Sequence, residues 1–563
     1  MRLNQIRSGH FTGRSLLAVA VGATLVVALY SGGERTQPAA STSTARTSGN
    51  TAAVQTTGHG GARTWSAPNG DKASTRRVRS PIDSASVTKL RQVWSVPLRG
   101  PADRWAGSYA ATPVVAGGVV YTQDLGSNVY AIDLRTGRLL WTKVYDSPSA
   151  GPNGVNVTEG KVYGATASTV FALDARTGAE VWSKKLIRND KEGIDMAPGI
   201  NNGTVYISTV PGNLNRFYAG DGVGVLWALD AATGRTKWKF DTVPTDLWGN
   251  PAVNSGGGLW YPPSFDSAGD LYLAVSNPGP FVGTPEYPWG SSRPGPNLYT
   301  NSIVKLNAKN GRVIWYNQAL PHDIYDWDLQ NSPIVTRAGR RPVVLGSGKM
   351  GYVYEYDQAT GKLLWKTPVG RHNGHDDDNL LALRGEYSKL PKAPFTLYPG
   401  ALGGIPAPMA VDDTTVYAAV NNFSVTWTSQ TPPPQFPPFN EGKGELVAID
   451  LVTGAIKWKH DFDQSPYGGT TVTNDLVFTT TLDGTVHALD TGTGQVAWQA
   501  KLPAGSNSPV AVSGDTLLAA GGWPQKAGEK AEIVAYRLGR GAPTPAPTVT
   551  PAAPPAPGAP SPR

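Results

Sequence analysis

The sequence predicts an all-β protein, on the basis of composition, patterning and an internal repeat. The chain holds 66 glycines, 47 prolines and 17 tryptophans in 563 residues, which is typical of many short strands joined by turns. Apolar residues make up 40% of the chain, enough for a large buried core. Little of the sequence has the long periodicity of amphipathic helices, and one strand–turn–strand motif recurs throughout.

The recurring motif is an alternating strand, an Asp or Asn, a Thr/Asn-Gly or Gly-containing turn, and a closing Trp. "YAIDLRTGRLLW" is one copy and "HALDTGTGQVAW" is another. Glycine tolerates the positive φ of a hairpin turn, and the side-chain oxygens of Asp and Thr accept hydrogen bonds from nearby backbone N–H groups. The Trp is expected to cover the neighbouring unit. The seven copies end at Trp141, Trp182, Trp238, Trp315, Trp365, Trp458 and Trp498.

The spacing of the repeats predicts an eight-bladed β-propeller. The intervals from Trp141 to Trp182 and from Trp458 to Trp498 match a blade of four strands, which takes roughly 40 to 50 residues. "KLRQVWSVPL" near the start and "EIVAYRLG" near the end are read as two halves of an eighth blade. A blade shared between the N- and C-terminal segments closes the ring and removes exposed sheet edges.

The composition of the termini divides the chain into four predicted regions. Residues 1–33 contain "SLLAVAVGATLVVALY" after several arginines and are read as a signal peptide or a membrane anchor. Residues 34–78 are predicted to be a disordered Ser/Thr/Gly-rich linker, 79–540 the propeller, and 541–563 a disordered Pro-rich tail. The protein is therefore expected to be exported to an extracellular, periplasmic or cell-surface location, with membrane anchoring as the alternative to cleavage.

Charge and cysteine content exclude several classes of function. The first 94 residues hold 12 of the 50 Lys and Arg but 3 of the 42 Asp and Glu, so the predicted propeller is nearly neutral. No basic stripe on the body is left to bind nucleic acid. The chain has no cysteine, which excludes disulfides, a thiol nucleophile and thioether attachment of haem.

The stretch "PHDIYDWDLQNSP", residues 321–333, concentrates three aspartates and a histidine in a chain with only 16% charged residues. If residues 326–328 are extended, Asp326 and Asp328 project to the same side. Two neighbouring carboxylates repel, so one would stay protonated unless a cation lies between them. An adjacent metal ion would resolve this repulsion, and the stretch by itself leaves two alternatives open, a solvated acidic loop and the wall of a reaction site. A second polar stretch, residues 371–379, has no recognised ligand spacing and is predicted to be a solvated loop.

At this point the sequence resembles the pyrroloquinoline quinone (PQQ) dependent alcohol dehydrogenases, the quinoprotein family that includes methanol dehydrogenase. The resemblance spans roughly residues 80 to 540. It is sharpest where "GGGLWYPPSFD", "AVSNPGPF", "NSIVKLNAKNGRVIWYNQALPHDIYDWDLQNSPIV" and "GSGKMGYVYEYDQATGKLLW" follow one another in the order of the family.

The resemblance implies roles for five residues. Asp326 matches the catalytic base that removes the alcohol proton and is a metal ligand, and Asn277 matches a metal ligand. Trp260 matches the indole under the flat cofactor, and Lys349 the cation that hydrogen-bonds the quinone carbonyl. Asp328 lies where lanthanide-using members carry an additional carboxylate ligand, so the expected cofactors are PQQ and a calcium or lanthanide ion.

Two features depart from the family pattern. The adjacent cysteine pair over the other cofactor face is missing, since the chain has no cysteine. The glutamate that usually ligates the metal is absent from "RFYAGDGVGVLWALD", where Asp221 is the nearest substitute.

The resulting hypothesis is an exported oxidoreductase that passes hydride from an alcohol-type substrate to PQQ and then electrons to a separate acceptor such as a cytochrome or quinone. The alternative is a non-catalytic propeller that serves as an extracellular binding or assembly scaffold. A carbohydrate- or cell-wall-binding module is a third option.

Overall fold

A computed structural model describes residues 64–101, 107–212, 218, 220–428 and 435–539. The predicted signal or anchor segment, most of the predicted linker and the Pro-rich tail lie outside these residues. Within them, no helix is both long and apolar enough to cross a membrane.

Eight blades of four antiparallel strands form the described body, and a fifth, parallel strand joins the sheet of blade 7. The strands of blade 1 are Val114–Ala116, Val119–Gln123, Val129–Asp133 and Leu139–Lys143, and those of blade 2 are Asn156–Thr158, Lys161–Ala165, Thr169–Asp174 and Glu180–Lys185. The strands of blade 3 are Gly199–Asn201, Thr204–Ser208, Val225–Asp230 and Thr236–Asp241, and those of blade 4 are Ser264–Phe265, Leu271–Val275, Ser302–Leu306 and Val313–Gln318.

The strands of blade 5 are Ile334–Ala338, Arg341–Ser347, Tyr352–Asp357 and Leu363–Pro368, and those of blade 6 are Ala410–Val411, Thr415–Asn421, Gly444–Asp450 and Ile456–Phe462. The strands of blade 7 are Thr471–Thr473, Leu476–Thr480, Thr485–Asp490 and Val496–Lys501, and those of blade 8 are Ala511–Ser513, Thr516–Gly521, Glu532–Leu538 and Leu90–Pro97. Blade 8 joins a strand from the start of the chain to three from its end. The predicted eight-bladed propeller with a shared closing blade is therefore confirmed.

The long insertions between blades carry the remaining elements. Two ribbons pair Ser255–Gly256 with Pro278–Gly279 and Phe395–Leu397 with Val425–Trp427. One α-helix spans Asp378–Leu383, and short 3₁₀ turns span Val87–Lys89, Leu247–Gly249, Tyr387–Lys389 and Phe439–Glu441.

The repeated Trp joins neighbouring blades as the sequence predicts. Trp141 donates its indole N–H to the carbonyl of Ala175 in the next blade, 3.0 Å away. Its ring packs on Gly178, where a Cβ would lie 2.7 Å from Cε3 and where φ is +73°. Glycine is required there both for the turn and for the contact. Within the same turn, Asp174 accepts hydrogen bonds from the amide and hydroxyl of Thr177.

Residues 64–78 belong to the folded body, which corrects their assignment to a disordered linker. They lie inside the ring, where Arg77–Val78 pairs in parallel with the innermost strand of blade 7. Their carbonyls accept hydrogen bonds from inner-strand amides: Val115 to Trp65, Phe265 to Lys72, Val335 to Ala73, Val411 to Thr75 and Val472 to Arg76. The short polar residues that suggested disorder instead supply backbone groups to the inner edges of the blades. We call residues 64–78 the axial segment.

Arg76 is the centre of the axial segment. Its guanidinium is fully buried and donates to the carbonyls of Thr470, Pro68 and Val510 and to three side-chain oxygens. It also lies 4.9 Å from the centre of the Trp65 ring. Burial lowers the pKa of Arg76 but leaves it protonated at neutral pH. Through hydrogen bonds the axial segment reaches seven of the eight blades in the described part of the chain.

Candidate functional site

The segment 321–333 follows blade 4, precedes blade 5, and is buried from residue 322 onward. Asp323 accepts hydrogen bonds from the amides of Tyr325 and Trp327, at 2.9 and 2.8 Å, so the segment turns around its own carboxylate. Asp326 has a φ of 63° and is in the left-handed region. Residues 326–328 are therefore not an extended strand, which was the condition for the predicted same-side projection.

Lys349 brings the two aspartates together despite that turn. It follows the second strand of blade 5, and its Nζ lies 3.0 Å from Oδ2 of Asp326 and 2.7 Å from Oδ2 of Asp328. The preceding Gly348 allows this approach, because a Cβ there would lie 1.8 Å from the carbonyl oxygen of Asp328. The amide of Lys349 donates to that same carbonyl at 2.9 Å. One ammonium group therefore bridges both carboxylates.

Asn277 completes the cluster from the other side. It follows the strand Leu271–Val275, donating its side-chain amide to Oδ1 of Asp326 at 3.1 Å and its backbone amide to Oδ1 of Asp328 at 2.9 Å. The hydroxyl of Tyr218 donates to Oδ1 of Asn277 at 2.5 Å. The sequence analysis did not single out Tyr218, because it lies in the region where the family resemblance breaks down. We call Asn277, Asp326, Asp328 and Lys349 the acidic cluster.

The acidic cluster carries an unbalanced charge in a buried place. With all groups ionised, two carboxylates face one ammonium, which leaves one negative charge. Burial and the neighbouring Asp328 raise the pKa of Asp326 well above its ordinary value, while Lys349 opposes that rise. The two carboxylates raise the pKa of Lys349 even though burial alone would lower it. Strongly shifted groups in a buried cluster are typical of functional sites.

Trp260 lies next to this cluster through Tyr218, with which it packs in one small apolar group that includes Val210. Two glycines make room for its ring. A Cβ on Gly151 would lie 3.0 Å from Cε3 of Trp260, and one on Gly212 would lie 2.9 Å from Cη2. Trp260 therefore lies close to the acidic cluster, and its role under the cofactor stays a prediction.

Asp195, which the sequence analysis overlooked, lies at the same glycines. It precedes the inner strand of blade 3 and is 1% exposed. Its Oδ1 accepts hydrogen bonds from the Ser149 hydroxyl and the amides of Ala150 and Gly151. Burial raises the pKa of Asp195 to about 6. A single charged residue in the apolar run "IDMAPGI" was the available signal.

Other candidates lie elsewhere. Asp221 is exposed, and its carboxylate accepts from Asn189, so it does not join the acidic cluster. In the stretch 371–379, which was expected to be solvated, His372 and His375 pair with Asp376 and Asp378. In the described ranges, no three His, Cys, Asp or Glu side chains are grouped so as to hold a metal ion. A metal in the acidic cluster would therefore depend on the amide oxygen of Asn277 as well.

Comparison with known proteins gives matches over most of the chain. A family model described as "Glucose/ethanol/alcohol dehydrogenase, beta-propeller domain" matches residues 188–372, and one described as "Outer membrane protein assembly factor BamB" matches 8–215 and 349–546. The quinohemoprotein alcohol dehydrogenase of Comamonas testosteroni is 30% identical over 527 residues, covering 80% of this chain and 70% of that protein. The quinohemoprotein alcohol dehydrogenase ADH-IIG of Pseudomonas putida is 29% identical over 550 residues, covering 81% and 74%.

A solved structure of quinohemoprotein alcohol dehydrogenase ADH-IIG from Pseudomonas putida superposes with a TM-score of 0.73 at 26% identity, covering 87% of this chain and 82% of that one. The ring of eight sheets, with a buried acidic cluster between blades 4 and 5, is thus the propeller type of the quinoproteins. The chain belongs to the family of PQQ-dependent alcohol dehydrogenases, and the predicted family is confirmed.

Proposed function

We propose that the protein is an exported quinoprotein that oxidises an alcohol-type substrate with the help of PQQ and a metal ion. The observation that carries this proposal is the acidic cluster, where contacts of 2.7 to 3.1 Å join two carboxylates to one ammonium group and one side-chain amide. Relatives named quinohemoprotein alcohol dehydrogenase support the cofactor and the substrate class.

The donor set of the acidic cluster fits a hard metal ion. Asp326, Asp328 and Asn277 offer carboxylate and amide oxygens, which are the ligands that calcium prefers. The negative charge that Lys349 leaves unbalanced favours a further cation. A trivalent lanthanide would gain more than calcium from the second carboxylate, which supports a ligand role for Asp328.

The residues of the site would then have distinct tasks. When bound, PQQ and its metal ion would supply the acceptor for the hydride that leaves the substrate carbon. Asp326 accepts the hydroxyl proton, and the cations beside it favour the ionised carboxylate that a base requires. Lys349 would hold the quinone carbonyl by a hydrogen bond, and Trp260 would lie against the flat ring of the cofactor.

The electron acceptor is proposed to be a separate cytochrome or quinone. The sequence has no cysteine and hence no thioether haem site. The apolar N-terminal segment supports export to the periplasm or the cell surface.

Reconstitution tests the proposal directly. The purified protein is incubated with PQQ and either calcium or lanthanum, and we expect a bound quinone spectrum together with dye reduction in the presence of an alcohol.

Asp326→Asn should bind quinone but lose turnover by about 100-fold or more, the usual range for a general base. Asp124→Asn is the matched control, since Asp124 is equally buried but bonded within blade 1. Full turnover by Asp326→Asn would reject the base.

A non-catalytic scaffold is the second candidate. It is favoured by the match to the family model described as an outer membrane assembly factor and by the absence of cysteine. In that case Lys349 and a proton on one of the two carboxyl groups would together neutralise the cluster, and neither metal nor quinone would bind. Failure of PQQ to bind with calcium and with lanthanum would select the scaffold.

A further inference from the structure

Asp195 has one carboxylate oxygen with no hydrogen-bond partner. All three donors, from Ser149, Ala150 and Gly151, reach Oδ1, while Oδ2 is buried and unpartnered among the described residues. A buried acceptor without a donor costs about 1–3 kcal/mol. A bound ligand that supplies a donor is one way to satisfy such an atom.

The unpartnered oxygen lies near Trp260, on the side where Gly212 packs. A Cβ on Gly212 would lie 3.0 Å from Oδ2 of Asp195 and 2.9 Å from Cη2 of Trp260, so the oxygen and the indole border the same position. Gly151 likewise lies between the Cβ of Asp195 and Cε3 of Trp260. A planar ligand against Trp260 would therefore meet Asp195 at its edge.

Among the residues that the structure describes, no cation pairs with Asp195. Along the same loop, Glu192 and Arg188 pair with each other, and the shift in the pKa of Asp195 comes from burial, opposed by the hydrogen bonds from Ser149, Ala150 and Gly151. Tyr218, which also packs on Trp260, is buried and neutral, since burial raises its pKa well above the ordinary value. PQQ carries carboxylates that are ionised at neutral pH. An ionised Asp195 would repel them, whereas a protonated one could donate a hydrogen bond.

We propose that Asp195 is a further ligand-binding residue and that PQQ binding takes up one proton, held between Asp195 and a cofactor carboxylate. The proton comes from solvent, and no covalent bond is made or broken. This inference rests on the proposed function, because it assumes that PQQ is the ligand at Trp260.

The test is a titration of the full protein with PQQ at constant calcium, followed by quenching of tryptophan fluorescence between about pH 5 and pH 8. Wild-type affinity should fall about tenfold per pH unit above about pH 6, the slope of one linked proton. Asp195→Asn cannot ionise and can donate through its amide, so it should lose this slope and bind about 100-fold more tightly than wild type at pH 8. Asp195→Ala should lose the slope without that gain.

The comparison between variants removes other sources of pH dependence. Titration of the acidic cluster affects wild type and Asp195→Asn alike. Glu355→Gln is the matched control, because Glu355 is a buried carboxyl with an unpartnered oxygen on a middle strand of blade 5. It should keep the wild-type slope. Equal slopes in wild type, Asp195→Asn and Asp195→Ala would overturn the role of Asp195 while leaving PQQ binding intact. Absence of PQQ binding in every variant, with calcium and with lanthanum, would overturn the proposed function itself.

Discussion

Two buried cations inside the ring are held in opposite ways. Arg76 is surrounded by uncharged carbonyl, amide and hydroxyl oxygens, and among the described residues no Asp or Glu shifts its pKa. Lys349 is held by two carboxylates, with 12% of its side chain exposed. The planar fork of arginine can satisfy many fixed dipoles at once, whereas the compact ammonium of lysine suits point charges.

The two surroundings differ in their net charge. The groups around Arg76 are neutral, so this region has a net charge of one positive unit. The two carboxylates around Lys349 leave one negative charge when both are ionised, and a proton or a metal ion could neutralise it. The axial segment therefore joins the blades, while the acidic cluster has a charge that favours binding of a further cation.

The largest expected effect comes from removing the structural cation. Arg76→Met should lower the free energy of unfolding by about 3–5 kcal/mol, since each of the buried carbonyls that it leaves without a donor costs about 1–3 kcal/mol. Urea denaturation measures this loss. The neighbouring Arg77, which pairs with the exposed Asp413, is the control. If Arg77→Met were equally destabilising, the special position of Arg76 would be refuted.

Removing Lys349 should lower the free energy of unfolding by less, and a second substitution should restore part of the loss. Lys349→Met leaves two carboxylates facing each other, and we expect a loss of about 3 kcal/mol, limited by protonation of one of them. Adding Asp328→Asn should restore about half of that loss, because it removes the excess charge. The double variant is compared with both single variants by urea denaturation. A double variant no more stable than Lys349→Met would contradict charge as the cause.

Asp195 adds a third case, a buried carboxyl group that pairs with no cation in the described part of the chain. Burial raises its pKa from 3.8 to about 6, so the folded state binds the proton more tightly than the unfolded state. The stabilising contribution is present at low pH and is lost as pH rises through about 4 to 6, by about 3 kcal/mol. Asp195→Asn should not show this loss, so its stability relative to wild type should increase over that range. Parallel pH profiles of the two proteins would show that the pKa is unshifted.

The smallest effect is expected where the same ion-pair geometry is exposed. Lys501 lies 2.7 Å from Oδ2 of Asp483, the same distance as Lys349 from Asp328, but 61% of its side chain is exposed. Lys501→Met should cost less than about 1 kcal/mol, since solvent screens the pair. A loss as large as that of Lys349→Met would mean that distance and not burial governs these pairs.

Several parts of this structure could be predicted locally. The hairpin turns and the Trp contacts depend on residues a few positions apart, and each of these short patterns has one geometry that satisfies it. The pairing of blade 8 could be predicted because only a shared blade removes both open edges. The residues of the acidic cluster were found because four motifs in a fixed order pointed to them.

The sequence by itself determined the repeat and the closure of the ring, because hydrophobic alternation and turn chemistry are local. It also determined the residue types at the acidic cluster, through the four motifs in their fixed order. The tertiary structure decided that Lys349 bridges Asp326 and Asp328, that Asp195 lies beside Trp260, and that Arg76 lies inside the ring. These depend on side chains that are distant in sequence meeting in a buried place, where the low polarity of the surroundings makes each unpaired charge or hydrogen bond decisive.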